Sequence, residues 1–115
     1  MKKLIPLCAA AAVLCACAGQ TKHFSTVKDS VWNQDPMNMC ASLIEQNQKA
    51  LQTIRKQYGQ EAAQVAEPLY QELDLQSNAV CRSRIAQQAQ VERLKELRAE
   101  YTQKIETAIL HTMQK

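Results

Sequence analysis

PMNMCASLIEQNQKALQTIRKQYG, residues 36–59, decides the fold. Met37, Cys40, Ile44, Leu51, Ile54 and Tyr58 recur along it at alternating steps of 3 and 4 once Asn47 is counted in the row. That spacing is a heptad seam, suited to packing along another helix. Leu43 widens the seam. Asp35 fits the N-cap and Pro36 the first helical position, where a missing N–H costs nothing. Gly59 supplies the C-terminal stop. The first helix therefore spans Pro36 to Tyr58.

Downstream, a second helix starts at Gln60 or Glu61, with Ala62, Val65, Ala66, Leu69 and Leu73 inward. Pro68 removes a backbone hydrogen bond and restricts Glu67, so the pattern predicts a kink or break there. Gln76-Ser77-Asn78 reads as the end of this segment, with Ser77 or Asn78 capping the next. A long third helix then runs from Asn78 to about Met113, without glycine or proline. Its stripe holds Val80, Cys81, Ile85, Val91, Leu94, Leu97, Tyr101, Ile105, Ala108, Ile109 and Met113. Glu92, Arg93, Lys95, Glu96, Arg98, Glu100 and Lys104 occupy positions read as exposed, and Glu100 with Lys104 makes a favourable i, i+4 pair. Strand signals are absent. The expected fold is all-α, a three-helix up-down-up arrangement with a long C-terminal helix.

These boundaries carry a consequence. At about 1.5 Å per residue, a helix starting at Asn78 returns to the level of Gly59 near Leu94. Roughly 20 further residues, about 30 Å, then have no neighbour. That overhang keeps an apolar face, and burying each large side chain is worth about 1.5–3 kcal/mol. The reading therefore assigns Leu97, Tyr101, Ile105 and Ile109 to a partner-binding surface, for a homodimer or another protein. A bend in the helix or a fold-back of the N-terminal segment would also cover it.

Working outward to the N-terminus, Lys2 and Lys3 precede an apolar run from Leu4 to Leu14. This is the pattern of a secretory signal, residues 1–16. The run is too short for a bilayer span, which takes roughly 20 residues. Leu14-Cys15-Ala16-Cys17 resembles the lipobox of bacterial lipoproteins: aliphatic, variable, small, then cysteine. The resemblance implies cleavage before Cys17, lipid on its thiol and acylation of the new amino terminus. Ala18, in place of Asp, implies sorting to the outer membrane in bacteria that use that rule, with the leaflet left open.

Processing changes the charge. The chain of 115 residues has a formal charge of +3, and loss of Lys2 and Lys3 leaves 3 − 2 = +1. Nucleic-acid binding and a polybasic membrane patch both lose their electrostatic argument. Of the 5 cysteines, Cys8 and Cys15 leave with the signal and Cys17 takes lipid. Cys40 and Cys81 remain as an even pair in an exported chain, expected as a structural disulfide. No histidine lies at ligand spacing and no Cys-x-x-Cys is present, which argues against metal and redox roles.

Residues 17–34 read as the lipidated cysteine and a tether, and residues 35–115 as the helical domain. Stretched out, 18–34 spans roughly 55 Å. Phe24, Val27 and Val31 have the spacing of a short docked turn. Trp32 has two readings, an anchor of the tether onto the domain or a recognition residue for a partner. The 15 glutamines suit a solvated helical surface of low charge.

No catalytic constellation emerges. His23 and His111 stand apart from acids and nucleophiles, Ser42 and Ser83 lack a strained turn, and Gly19 and Gly59 make no phosphate loop. The row Glu92, Glu96, Glu100 reads as a solvated face. No cofactor, small-molecule substrate or enzyme activity is expected. The sequence points to a membrane-anchored accessory or adaptor subunit. A periplasmic chaperone-like or inhibitor module and a structural spacer are the alternatives, the first lacking the repeated Leu-Thr-x-x-Gln signature of helical periplasmic chaperones.

Overall fold

The computed structural model describes residues 27–114, and these form three helices after a short 3-10 turn. The turn is Asp29–Asn33. Helix α1 is Pro36–Tyr58, α2 is Gln60–Cys81 and α3 is Gln87–Met113. The all-α fold is as expected. The signal residues, Cys17, His23 and Phe24 lie outside the described residues.

Helix α1 starts and stops as its sequence dictates. The Asp35 carboxylate accepts from the Asn38 backbone N–H at 3.4 Å, and Pro36 fills the first turn. Arg55 and Lys56 sit in the last turn, beside the free carbonyls. Gly59 alone joins α1 to α2: its N–H donates to Arg55 O and its own carbonyl accepts from Ala63 N–H. Its φ of 98° and ψ of 177° belong to a region that is open almost only to glycine. A Cβ there would meet open space, so the requirement is conformational and not steric.

The α1 seam keeps its 3–4 rhythm but is turned by one residue. Met39, Cys40, Leu43, Asn47, Ala50 and Ile54 are buried, whereas Ile44, Leu51 and Tyr58 are half-buried. Met37 is 57% exposed. Two partners account for the rotation, because a face serving both α2 and the 3-10 turn must be wider than a heptad line.

Two boundaries differ from expectation. Helix α2 is unbroken across Pro68. The proline is exposed, and the carbonyl it leaves unpaired belongs to Gln64, also exposed, where water can replace the bond. Burial of Ala62, Ala63 and Ala66 on one side and Tyr70 and Leu73 on the other holds the helix through it. Ser77 and Asn78 do not cap a new helix; both lie inside α2, which continues to Cys81.

The turn is Arg82–Ala86, with no glycine or proline to mark it. A side chain replaces the usual glycine cap. The buried Gln90 amide donates to the carbonyls of Val80, Cys81 and Ser83 at 3.1, 3.3 and 3.2 Å. The Ser83 hydroxyl adds a bond to Val80 O at 2.5 Å.

Moving the third helix start from 78 to 87 removes the overhang. Helix α2 has 22 residues, so it descends about 33 Å and α3 regains the level of Gly59 only near Ile109. The face read as unpartnered is core. Leu97, Tyr101, Ile105 and Ile109 are 1, 1, 1 and 4% exposed, packed with Ala50, Ile54, Ala62, Ala66, Tyr70 and Leu73. Ile85 and Met113, also read as part of the stripe, are 50 and 59% exposed.

A second, smaller core lies at the other end. It contains Met39, Cys40, Leu43, Cys81 and Leu94. Cys40 and Cys81 form a disulfide there, with Cα atoms 6.5 Å apart. Cys81 is the last residue of α2 and does not open the return helix. Cross-helix pairs such as Cys40 with Cys81 and Asn47 with Asp74 show residue numbers rising along α1 as they fall along α2.

Candidate functional site

Two constellations could carry function: a polar ladder in the interior, and the N-terminal segment laid on the smaller core.

The ladder sits between the two apolar clusters. Arg98 of α3 is 5% exposed and Asn47 of α1 is 2% exposed. The guanidinium Nη1 donates to Asn47 Oδ1 at 2.8 Å, and Asn47 Nδ2 donates to Asp74 Oδ1 of α2 at 2.7 Å. One amide thus links a buried cation to a half-buried carboxylate and touches all three helices. Arg98 Nε and the Ser77 hydroxyl are buried without a hydrogen-bond partner among the described residues.

The charges around the ladder follow from burial. Burial pushes the Tyr70 hydroxyl up to about 12, with the Arg98 charge opposing and the Asp74 charge adding. Asp74 is raised by burial, against the Asn47 hydrogen bond and the Arg98 charge. Arg98 is lowered by burial while Tyr70 and Asp74 oppose. A half-open neighbour ladder comes from Tyr101: its ring is buried, and its hydroxyl donates to Glu72 Oε1 at 2.6 Å and accepts from Gln76 Nε2 at 2.5 Å. The hydrogen bond to Glu72 is the first cause holding that hydroxyl at about 12, with burial second and the nearby charges of Glu72 and Glu100 adding.

Arg98, Asn47 and Tyr70 are buried inside the bundle. Their chemistry is to fix the register of three helices. Arg98, read from sequence as exposed, is the main correction here. Asn47 was legible as a polar residue in the seam, but its partner was not, because Arg98 lies among surface charges one position from Leu97.

The outer face of α3 matches its reading better. Lys104 Nζ is 3.4 Å from Glu100 and Arg93 is 3.4 Å from Glu96, both pairs exposed. Lys104 also stands 4.5 Å above the Tyr101 ring. An open groove of about 620 Å³ lies beside them, lined by Leu69 of α2 and by Gln103, Ala108 and His111 of α3 among others. Among the described residues no group of His, Cys, Asp and Glu could hold a metal ion. No helix among them is long and apolar enough to cross a membrane.

Trp32 is an anchor on the domain. It is half-buried with Val27 and Val31 on the disulfide cluster, and Lys95 Nζ stands 5.3 Å from its ring centroid. The residues chosen for partner binding are therefore all engaged within the chain, four in the core and Trp32 against it. Gln34 closes the segment, accepting from Ser42 Oγ at its side chain at 3.0 Å and from Gln87 Nε2 at its carbonyl at 2.7 Å. The part of the tether from Val27 to Gln34 thus belongs to the folded unit.

No protein-family model, curated protein or solved structure matches the chain.

Proposed function

We propose that this chain is a lipid-anchored envelope protein, fixed to the membrane by acyl chains on Cys17, whose helical domain is a non-enzymatic accessory or adaptor module for a partner protein. The observation that carries the reading is the sequence Leu14-Cys15-Ala16-Cys17 behind a basic and apolar start. The Cys40–Cys81 disulfide supports it, because a cystine inside a small core belongs to an oxidising compartment such as the bacterial envelope. Partner contacts come from the exposed helix faces, as Leu97, Tyr101, Ile105 and Ile109 are occupied inside the bundle.

Intact-mass analysis of the protein extracted from native membranes tests the anchor. A chain beginning at an acylated Cys17 is the expected species. One that retains Met1, or that lacks acyl mass, refutes the placement. Cross-linking in the native envelope tests the adaptor role, which requires a recurrent protein partner.

A further inference from the structure

Helix α2 differs in charge from its neighbours. It carries Glu61, Glu67, Glu72 and Asp74 and no lysine or arginine. The outer faces of α1 and α3 hold both signs and neutralise themselves locally, through Glu45 with Lys49, Arg93 with Glu96 and Glu100 with Lys104. We propose that the exposed face of α2 is the docking surface of the adaptor, and that its partner is a short cationic protein segment carrying an apolar side chain. This rests on the accessory role proposed above and adds to it a face and a chemistry.

Gln64, Pro68, Gln71 and Leu75 follow one another at steps of 4, 3 and 4, and all of them are exposed. They form an uncharged stripe about 16 Å long, on the side of α2 away from buried Ala66, Leu73 and Ser77. At about 100° per residue, Glu67 lies about 70° to one side of the stripe and Glu72 about 70° to the other. Leu75 is 72% exposed, the most open large apolar side chain among the described residues. Met37, Ile85 and Met113, the other open ones, stand at helix ends or in the turn. A surface leucine by itself signifies little. This one sits in a charge-free centre with carboxylates on both rims, the arrangement of an interface whose apolar anchor is ringed by polar groups.

The polar groups of this face call for a donor. Pro68 has no N–H to give the exposed Gln64, whose carbonyl is left as an open acceptor beside the stripe. Glu72 gives one carboxylate oxygen to the Tyr101 hydroxyl and keeps its charge. Lysine and arginine are donors only and carry the matching sign. A second copy meeting this face with its own α2 sets carboxylates against carboxylates, and an anionic lipid surface meets the same repulsion. Charge, apolar anchor and open carbonyl thus converge on a cationic protein segment. A contact of about three helical turns is small, so its binding is weak and fades with salt.

The test uses the full chain in neutral detergent micelles and, as probe, a fluorescein-labelled alanine–lysine helical peptide with one central leucine. Anisotropy should show saturable binding that weakens as salt rises from about 0.01 to 0.15 M. Leu75→Gln and Glu67→Lys should each weaken it about fivefold or more, with far-UV circular dichroism unchanged because both sites are exposed. Glu45→Lys makes the same change of net charge on α1 and should hold the affinity within about twofold. Absence of binding overturns the proposal, as do equal binding of the matching alanine–glutamate peptide and equal losses from Glu67→Lys and Glu45→Lys. A photo-cross-linker at Gln71, with controls at Gln52 of α1 and Gln103 of α3, carries the test into the native envelope. Adducts from position 71, to a protein segment rich in lysine and arginine, are the expected result. A recurrent protein adduct from 52 or 103 and not from 71 refutes this face and keeps the adaptor role. Copy-to-copy adducts from 71 refute the cationic occupant. Probe binding without a protein adduct from any of the three positions refutes the adaptor role, while the affinities still judge the face.

Discussion

Replacing Asn47 by alanine removes the one amide that joins Arg98 to Asp74. Arg98 is 5% exposed, so its Nη1 loses an acceptor that water cannot easily replace. A hydrogen bond to a charged group is worth about 1.5–3 kcal/mol. Asp74 loses a donor too, but it is half-buried and solvent recovers part of that bond, leaving about 0.5–1.5 kcal/mol. The expected loss is about 3 kcal/mol, a large share of the 5–15 kcal/mol typical of a domain. For a domain of this size it lowers the melting temperature by about 12 °C or more. Urea unfolding followed by far-UV circular dichroism, without reductant, measures it as a lower midpoint at unchanged slope. The paired replacement Asn47→Leu with Arg98→Met removes the buried charge along with its acceptor, and apolar substitution of buried ionic groups is often neutral or stabilising. It should recover most of the loss. A cost below about 1 kcal/mol for Asn47→Ala, or a double variant no better than the single, refutes the idea that the ladder's cost lies in an unmet buried cation.

Pro68→Ala restores a backbone donor in an unbroken helix at an exposed site, and thermal melts should show a gain of about 1–3 kcal/mol. Replacing Cys40 and Cys81 together by alanine should cost about 4 kcal/mol, since a loop of 41 residues is no longer closed in the unfolded chain; denaturant midpoints check it. Tyr70 favours the folded state in its neutral form. With its hydroxyl raised to about 12, the unfolded chain gives up that proton first, so stability falls as pH climbs from about 10 toward about 12. Tyr70→Phe should flatten that alkaline fall in melts taken across the range.

The two ends of helix α1 were readable because their punctuation is local, although its buried face is turned by one residue from the expected seam. Asp35, Pro36 and Gly59 act through backbone geometry that needs no distant partner. The disulfide was readable because compartment and parity left Cys40 and Cys81 together. The α2–α3 turn was hidden for the opposite reason. Ser77 and Asn78 look like caps, while the group that ends α2 is the side chain of Gln90, nine positions past Cys81 and aimed backward. Misplacing that turn displaced everything after it, and a core face became an apparent docking face. Pro68 misled in a smaller way, since the burial on both sides outweighs one lost bond. Trp32 was read two ways, as an anchor and as a recognition residue, and its seat depends on Lys95 and the cystine cluster, which only the folded arrangement brings near.

The bond between Cys40 and Cys81 also makes a ring of everything between them and leaves α3 outside as a linear arm. A single protease cut at the exposed Gly59 corner would open that ring without freeing either piece. Such a nicked molecule keeps its mass until a reductant arrives, and two bands would then appear on a gel where one had run before.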